Sequence, residues 1–519
     1  MASGGNDGAP AVTGAQIDAL AHTLSGDVEG QREDDVFVFR GIPFAAPPTG
    51  PRRFRPPQPV EAWAGLRDAT EFGPAAPQLP SPLEHIVGSR ELTMSEDCLY
   101  LNVWTPGLDD VRRPVLVWIH GGAFTTGAGS IPWYDGTSFA RLGDVVVVTL
   151  NYRIGALGFL LLDGIVDGMD QASNLGILDQ IAALRWVRDN IEAFGGDPDQ
   201  VTVFGESAGA MSVAVLMGMP SAKGLFGRAI LQSGAAQSVA GRTQAERITH
   251  EFLAEIDLPE PDAESLRAAP VDEILRAQGS IVLRNWGKVH GLPLQPVFDG
   301  MLMPQLPHDA IEDGSSEGMD VLIGTTRDEW RLFALLDPAA ASLDRDELLE
   351  RVTAVLGSTE AAHAALDVYA ADEPEATPGD LWTAFQTDRI FRAPATAVAE
   401  RHRGPTFMYL FSYCTDVMGG GLRSCHALEI PFVFNNLDAP GAQRMTGPVT
   451  REMQDLALAM HEAWIAFARE GRPRSPRLPE WPTYDGDRRG TMVFGEQPSI
   501  EDDPLSDQRR LWASSEVEV

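Results

Sequence analysis

The sequence predicts an α/β protein built on a large, mainly parallel sheet covered on both faces. Three observations lead there. Apolar runs rich in Val and Ile recur at 115–119 (VLVWI), 145–152 (VVVVTLNY), 201–204 (VTVF), 229–233 (AILQS), 321–325 (VLIGT) and 406–413 (TFMYLFSY). They are continuous rather than alternating, as strands buried on both faces require. Helix-like segments lie between them, the pattern of crossover-connected strands. The chain has 519 residues, 44% hydrophobic and 22% charged, which is the composition of a soluble protein with a sizeable core.

Taken in order, residues 1–25 read as a disordered lead. The opening MASGGNDGAPAVTG has neither the positive charge nor the apolar stretch of a secretory signal. Residues 26–519 then read as one domain. The Pro/Gly-rich stretches at 42–59 and 470–482 look like ordered loops, not linkers. The clearest helix starts near Asn174: Ile177, Ile181, Leu184, Val187 and Ile191 keep a 3.6-residue spacing, and Gly195–Gly196 supply a stop. Residues 235–320 and 336–400, rich in Ala, Glu, Asp and Leu, read as helical insertions carried by the same sheet.

Composition excludes several functions. Net charge is −34, from 74 acidic and 40 basic residues, so phosphate backbones and anionic membranes are repelled. No apolar run approaches the roughly 20 residues of a membrane span. Three cysteines (Cys98, Cys414, Cys425) make no disulfide framework and fit a reducing cytosol, although Cys414 and Cys425 could pair. No Cys/His spacing suggests a metal.

Chemistry concentrates at VTVFGESAGAMSV (201–213). A strand runs into Gly205, Glu206, Ser207, Ala208 and Gly209, and a helix follows. G-x-S-x-G in that setting is a nucleophile elbow: small residues let strand and helix approach, and the serine hydroxyl projects above the sheet edge. The amide of Ala208 then sits at a helix N-terminus, where negative charge is favoured. An elbow serine needs further oxyanion donors. VLVWIHGGAF (115–124), a strand ending in a Gly turn, occupies the position that supplies them.

These segments, with SEDCLYLNVWTP (95–106), NYRIGALGF (151–159), NLGILDQ (174–180), FGGDP (194–198) and LQSGA (231–235), resemble the type-B carboxylesterase family. The resemblance runs from FRGIPFAAPPTGPRRF (39–54) to AWIAFAREGRP (463–473) and WPTY (481–484). It implies an α/β-hydrolase fold whose helical insertions shape a gorge, and a Ser–Glu–His triad. The family's acid lies in a motif like GTTRDEW (324–330), which matches Glu329; the residues alone do not separate it from Asp328. Four histidines follow Glu329. His363, His402 and His461 sit in or at the end of helical segments, and only His426 occupies a loop after a strand, where the family carries its histidine. The family's oxyanion amides fall on Gly122, Ala123 and Ala208. Many members have a third glycine where this chain has Ala123, whose methyl implies poor tolerance of tertiary alcohol esters. Matching family positions also make Glu206, Ser233 and Glu429 a polar network behind the triad. The two glutamates are expected to share a proton, because like charges in a poorly solvated site do not both ionise.

Two departures narrow the substrate. Cys98 has no upstream cysteine and 64–97 contains no tryptophan, so the choline-stacking loop of cholinesterases is missing; residues 235–240 (AAQSVA) also lack an acyl-pocket tryptophan. The expectation is a serine carboxylesterase of bacterial, cytoplasmic type. It would hydrolyse short- to medium-chain or aryl/alkyl esters, as a monomer without metal or organic cofactor. Hydrolysis of carbamates or aryl amides by the same triad is the alternative, and a non-catalytic binding module of the same fold the remote one.

Overall fold

In the computed structural model, residues 19–81, 92–258, 261–286, 291–337 and 339–514 are described. An 11-stranded sheet forms the frame. From one edge to the other its strands are Ser499–Asp502, Gly490–Phe494, Thr406–Phe411, Asp320–Thr326, Arg228–Gln232, Gly196–Glu206, Arg113–Ile119, Val146–Leu150, Tyr100–Thr105, Val36–Pro43 and Gln31–Glu33. The run from Gly490–Phe494 to Val146–Leu150 is parallel throughout. Antiparallel strands flank it on both sides. This is the α/β-hydrolase arrangement. The six apolar runs all fall in the parallel part, whereas the outer strands carry weaker patterns and were not evident as strands.

Alternate residues of each central strand feed two cores. Val203, Leu231, Ile323 and Met408 pack on one face, beneath the helices Leu175–Asn190, Ala208–Gly218 and Ala393–Arg401. Phe204, Ile230, Leu322 and Phe407 pack on the other, against the helix Arg451–Glu470 with its buried Trp464 and Phe467. Burial on both faces explains why these strands lack alternation. The anticipated helix ends at Asn190; a 3-10 turn, Ile191–Phe194, precedes Gly195.

Leu20–Thr23 pairs with Gly26–Glu29, so the lead is shorter than 25 residues; residues 1–18 of that expectation lie outside the described residues. The first insertion contributes the helices Arg242–Glu255, Ala263–Ala268, Val271–Asn285 and Pro307–Glu312. In the second, Arg345–Leu356, Thr359–Asp372 and Pro378–Thr387 share a small core with Trp512. All three cysteines are free; Cys425 is buried and Cys414 exposed. Among the described residues no helix is long and apolar enough to cross a membrane.

Parallel strands end together on one edge, and that edge carries the site. The elbow depends on close approach there. A Cβ on Gly209 would run into the Ile119 carbonyl oxygen, and one on Gly205 would lie 2.7 Å from the same atom. Gly227 has open space around its would-be Cβ. Gly209→Ala is therefore expected to cost about 1–3 kcal/mol of stability by overpacking, whereas Gly227→Ala stays within about 0.5 kcal/mol of wild type. Denaturation midpoints for the two variants check this; equal shifts would contradict the packing argument.

Candidate active site

Ser207 lies between the strand Gly196–Glu206 and the helix Ala208–Gly218. Its backbone sits at φ 56°, ψ −127°, a region an L-residue occupies only when its surroundings enforce it. Those surroundings are hydrogen bonds from Ser207 N to Gln232 O (2.9 Å) and from Met211 N to Ser207 O (2.9 Å), and the packing of Gly234 on the Ser207 carbonyl. Glu206 and Ala208 are buried, so of these three residues only Ser207 is partly exposed.

The loop after Arg113–Ile119 faces the elbow. A Cβ on Gly121 would lie 3.0 Å from the Ser207 Cβ. Beyond it Gly122 has φ 113°, Ala123 φ 53° and Phe124 φ 58°, three successive residues at positive φ. The Gly122 carbonyl is held by Thr125 N (3.0 Å) and Thr126 N (2.9 Å). Gln78 braces the loop, accepting from Gly127 N at 2.8 Å and donating to Gly127 O at 3.0 Å. The amides of Gly122, Ala123 and Ala208 donate to no protein acceptor among the described residues. Three free donors near one serine can receive an oxyanion.

Glu329 ends the turn after Asp320–Thr326 and is wholly buried. Its Oε1 accepts from Thr326 N at 2.7 Å and its Oε2 lies 2.6 Å from His426 Nδ1. Asp328 points elsewhere: it accepts from Ser424 N at 3.4 Å and lies 3.6 Å from Arg423, pinning the histidine loop. The two neighbouring carboxyls are thus told apart by geometry. Phe333 and Phe391 flank the imidazole, with ring centroids 5.0 and 4.8 Å away. Phe391 comes from a π-helical turn, Asp388–Arg392. The other three candidate histidines have other surroundings. His402 bonds Thr406 and Ser316, His461 bonds the Val433 carbonyl, and His363 is exposed on a helix.

On its far side His426 Nε2 lies 3.0 Å from Glu206 Oε1. No hydrogen bond joins Nε2 to Ser207 Oγ among the described residues. Glu206 and Glu429 act on each other through their charges, and Glu429 is the one whose carboxyl is pushed up the more clearly. Glu206 turns one oxygen to the imidazole, where an opposite charge attracts it. Glu429 is braced by Ser233 Oγ and Gln232 Nε2, each 3.5 Å from its Oε1. Burial pushes Glu429 up to about 8, and the charges of Glu206 and Glu329 add to it. Glu206 is raised by burial against the pull of His426. Burial alone would lower the imidazole, but the two carboxylates outweigh it and hold His426 well above the ordinary histidine value.

The elbow motif singled out Ser207 and Ala208 and pointed to the Gly turn at 121–122, and the resemblance added the remainder. Gln78, Gln232, Phe333 and Phe391 carried no sequence signal. Among the described residues no group of three His, Cys, Asp or Glu is placed to hold a metal. A cavity of about 850 Å³, walled in part by Phe298, Asp388, Met408 and Trp512, does not include Ser207, Glu329 or His426 among its walls.

The family model described as "Carboxylesterase family" matches residues 17–512. This chain belongs to that family. Para-nitrobenzyl esterase of Bacillus subtilis is 41% identical over 502 residues, covering 96% of this chain and 99% of the relative. Phenmedipham hydrolase of Pseudarthrobacter oxydans is 39% identical, covering 92% and 95%. The crystal structure of Geobacillus stearothermophilus carboxylesterase EST55 superposes with a TM-score of 0.86 at 43% identity, covering 95% of this chain and all of that one. The carboxylesterase identity makes the chain a carboxylic ester hydrolase of the serine type, and the binding-module reading falls away.

The electrostatics predict the acid side of the rate profile. The base must be neutral, so kcat/KM should fall as pH drops through the raised His426 pKa, above ~6.5. Glu206→Gln removes one of the two carboxylates that raise it. The acid limb should then move down by about one unit, with kcat reduced by about one to two orders of magnitude. Profiles of both proteins check this; an unmoved limb would contradict the pairing.

Proposed function

We propose that this carboxylesterase acts through an acyl-enzyme on Ser207, with His426 as general base and acid and Glu329 as its orienting partner. The observation that carries the reading is the buried Glu329–His426 contact of 2.6 Å beside a strained, partly exposed serine.

With Nδ1–H donated to Glu329, neutral His426 presents an unprotonated Nε2. Entry of an ester draws Nε2 from Glu206 toward Ser207. Nε2 takes the hydroxyl proton as Oγ bonds to the ester carbonyl carbon. The carbonyl oxygen, now negative, is held by the amides of Gly122, Ala123 and Ala208. Imidazolium returns the proton to the departing alkoxide, and the alcohol leaves. Water enters, gives a proton to Nε2 and attacks the acyl carbon; Ser207 recovers its proton as the acid is released. While the histidine is charged, Glu206 offers Nε2–H a partner on the side away from the substrate. Substrates are small esters with short- to medium-chain acyl or aryl/alkyl groups. The methyl of Ala123, held among the oxyanion donors, disfavours tertiary alcohol esters. The protein works as a cytoplasmic monomer.

Ser207→Ala should retain less than about a thousandth of wild-type kcat with an unchanged melting temperature. Matched substrates sharing one acyl group should rank ester above carbamate and anilide. Residual activity above that level would place the nucleophile elsewhere, and a preference for the carbamate or anilide would overturn the substrate assignment.

A further inference from the structure

The turn that carries Glu329 is held from outside the sheet. Glu329 Oε1 takes its hydrogen bond from Thr326 N, so the carboxyl is only as fixed as the backbone of residues 326–329. Two side chains of the second insertion grip that backbone at its two ends. Arg392 Nη2 donates to Arg327 O at 2.6 Å and lies 3.5 Å from Thr326 O. Thr387 Oγ1 accepts from Trp330 N at 3.0 Å, which satisfies the first amide of the short helix Trp330–Ala334 that begins after Glu329.

Arg392 and Phe391 are neighbours, yet they meet different parts of the site, because their segment is wound wide. At Asp388–Arg392 the helix is π, and Ala393 N bonds Asp388 O, five residues back. Pro394, at the start of the helix Ala393–Arg401, has no N–H to offer Ile390 O, and its ring crowds that oxygen. Gln237 Nε2 takes the released carbonyl at 2.8 Å. In this wide turn Phe391 packs on the imidazole and Arg392 on the acid turn.

The guanidinium is itself anchored. Its Nη1 pairs with Asp388 Oδ1, and Asp388 Oδ2 accepts from the Tyr369 hydroxyl at 2.7 Å. The Tyr369 oxygen in turn accepts from Trp512 Nε1 at 2.8 Å, in the helix Ser506–Ala513 near the C-terminus. Asp388, Tyr369 and Trp512 are all buried. A row of polar contacts therefore runs from the last helix to the turn of the catalytic acid.

We propose that Arg392 is a positioning residue of this esterase: it fixes the turn that carries Glu329, and Asp388, Tyr369 and Trp512 fix Arg392. The inference rests on the reading of Glu329 as the partner of His426. A buried ion pair contributes little net stability compared with apolar side chains of the same volume. This pair supplies direction instead. A guanidinium bonds Asp388 and Arg327 O at once through two nitrogens of one rigid plane, which an ammonium cannot do.

Arg392→Lys keeps the charge beside Asp388 and loses the fork. It is expected to lower kcat about three- to tenfold, the scale of one hydrogen bond to a charged group, with KM within about twofold of wild type. In a Glu329→Ala background the same change should cost less than about twofold, because the carboxyl it positions is gone. The proton between His426 Nδ1 and Glu329 Oε2 should give a low-field NMR signal in the wild-type protein, and Arg392→Lys should shift or broaden it. Fully additive losses, or a lowered melting temperature with kcat and the signal unchanged, would make Arg392 a packing residue and overturn the proposal alone. Undiminished kcat in Glu329→Ala itself would overturn the reading of Glu329 and this proposal with it.

Discussion

A single imidazole, buried between the carboxylates of Glu329 and Glu206, sets the terms for everything around it. Dry surroundings disfavour a charged histidine, and two carboxylates in van der Waals reach favour it more. A base with a raised pKa takes a serine proton more readily than a free imidazole does. The same carboxylates would repel each other and any third one without the cation between them. Glu429, lying behind them, answers by holding its proton. The charge state of the whole cluster is therefore set jointly, as coupled titrations require.

The sheet makes this cluster possible. Glu206, Ser233 and Glu329 all stand at or just beyond the C-terminal ends of adjacent parallel strands, so their separations follow from strand spacing and register. Glycines at 121, 205 and 209 allow backbone segments to come within a few ångströms of Ser207. The amides of Gly122 and Ala123 are free because their loop runs through three consecutive positive-φ residues, two of them non-glycine, and the Ala208 amide is free because it opens a helix. That strain is supported by Gln78, which ties the loop to a distant segment. Phe333, from the short helix Trp330–Ala334 just after Glu329, and Phe391, from the second insertion, pack against the imidazole.

How much of this could be read beforehand varied with the kind of signal. Strands buried on both faces announce themselves by composition, so the parallel centre was legible. The outer strands Tyr100–Thr105 and Val36–Pro43 carry mixed residues and were not. The elbow and the Gly turn were legible because each needs small residues at fixed spacing. Asp328 and Glu329 were not separable from the residues alone; only the fold shows that one carboxyl meets the imidazole and the other pins its loop. That one of the buried glutamates holds its proton follows from like charges in a dry site; which one does so depends on the imidazole beside Glu206, which only the fold shows. The parts played by Gln232 and Phe391 were invisible, since their relation to the site depends on register and on helix packing rather than on local pattern.

The central claim is that Ser207 is activated by the buried imidazole and not by its exposure. Reaction with a fluorophosphonate, followed by mass spectrometry of the labelled peptide, tests it most directly. One covalent adduct per chain is expected, on the peptide containing Ser207, with a labelling rate that falls as His426 is protonated on acidification. An adduct on another serine, or a rate at Ser207 that does not change with pH across the histidine range, would contradict it.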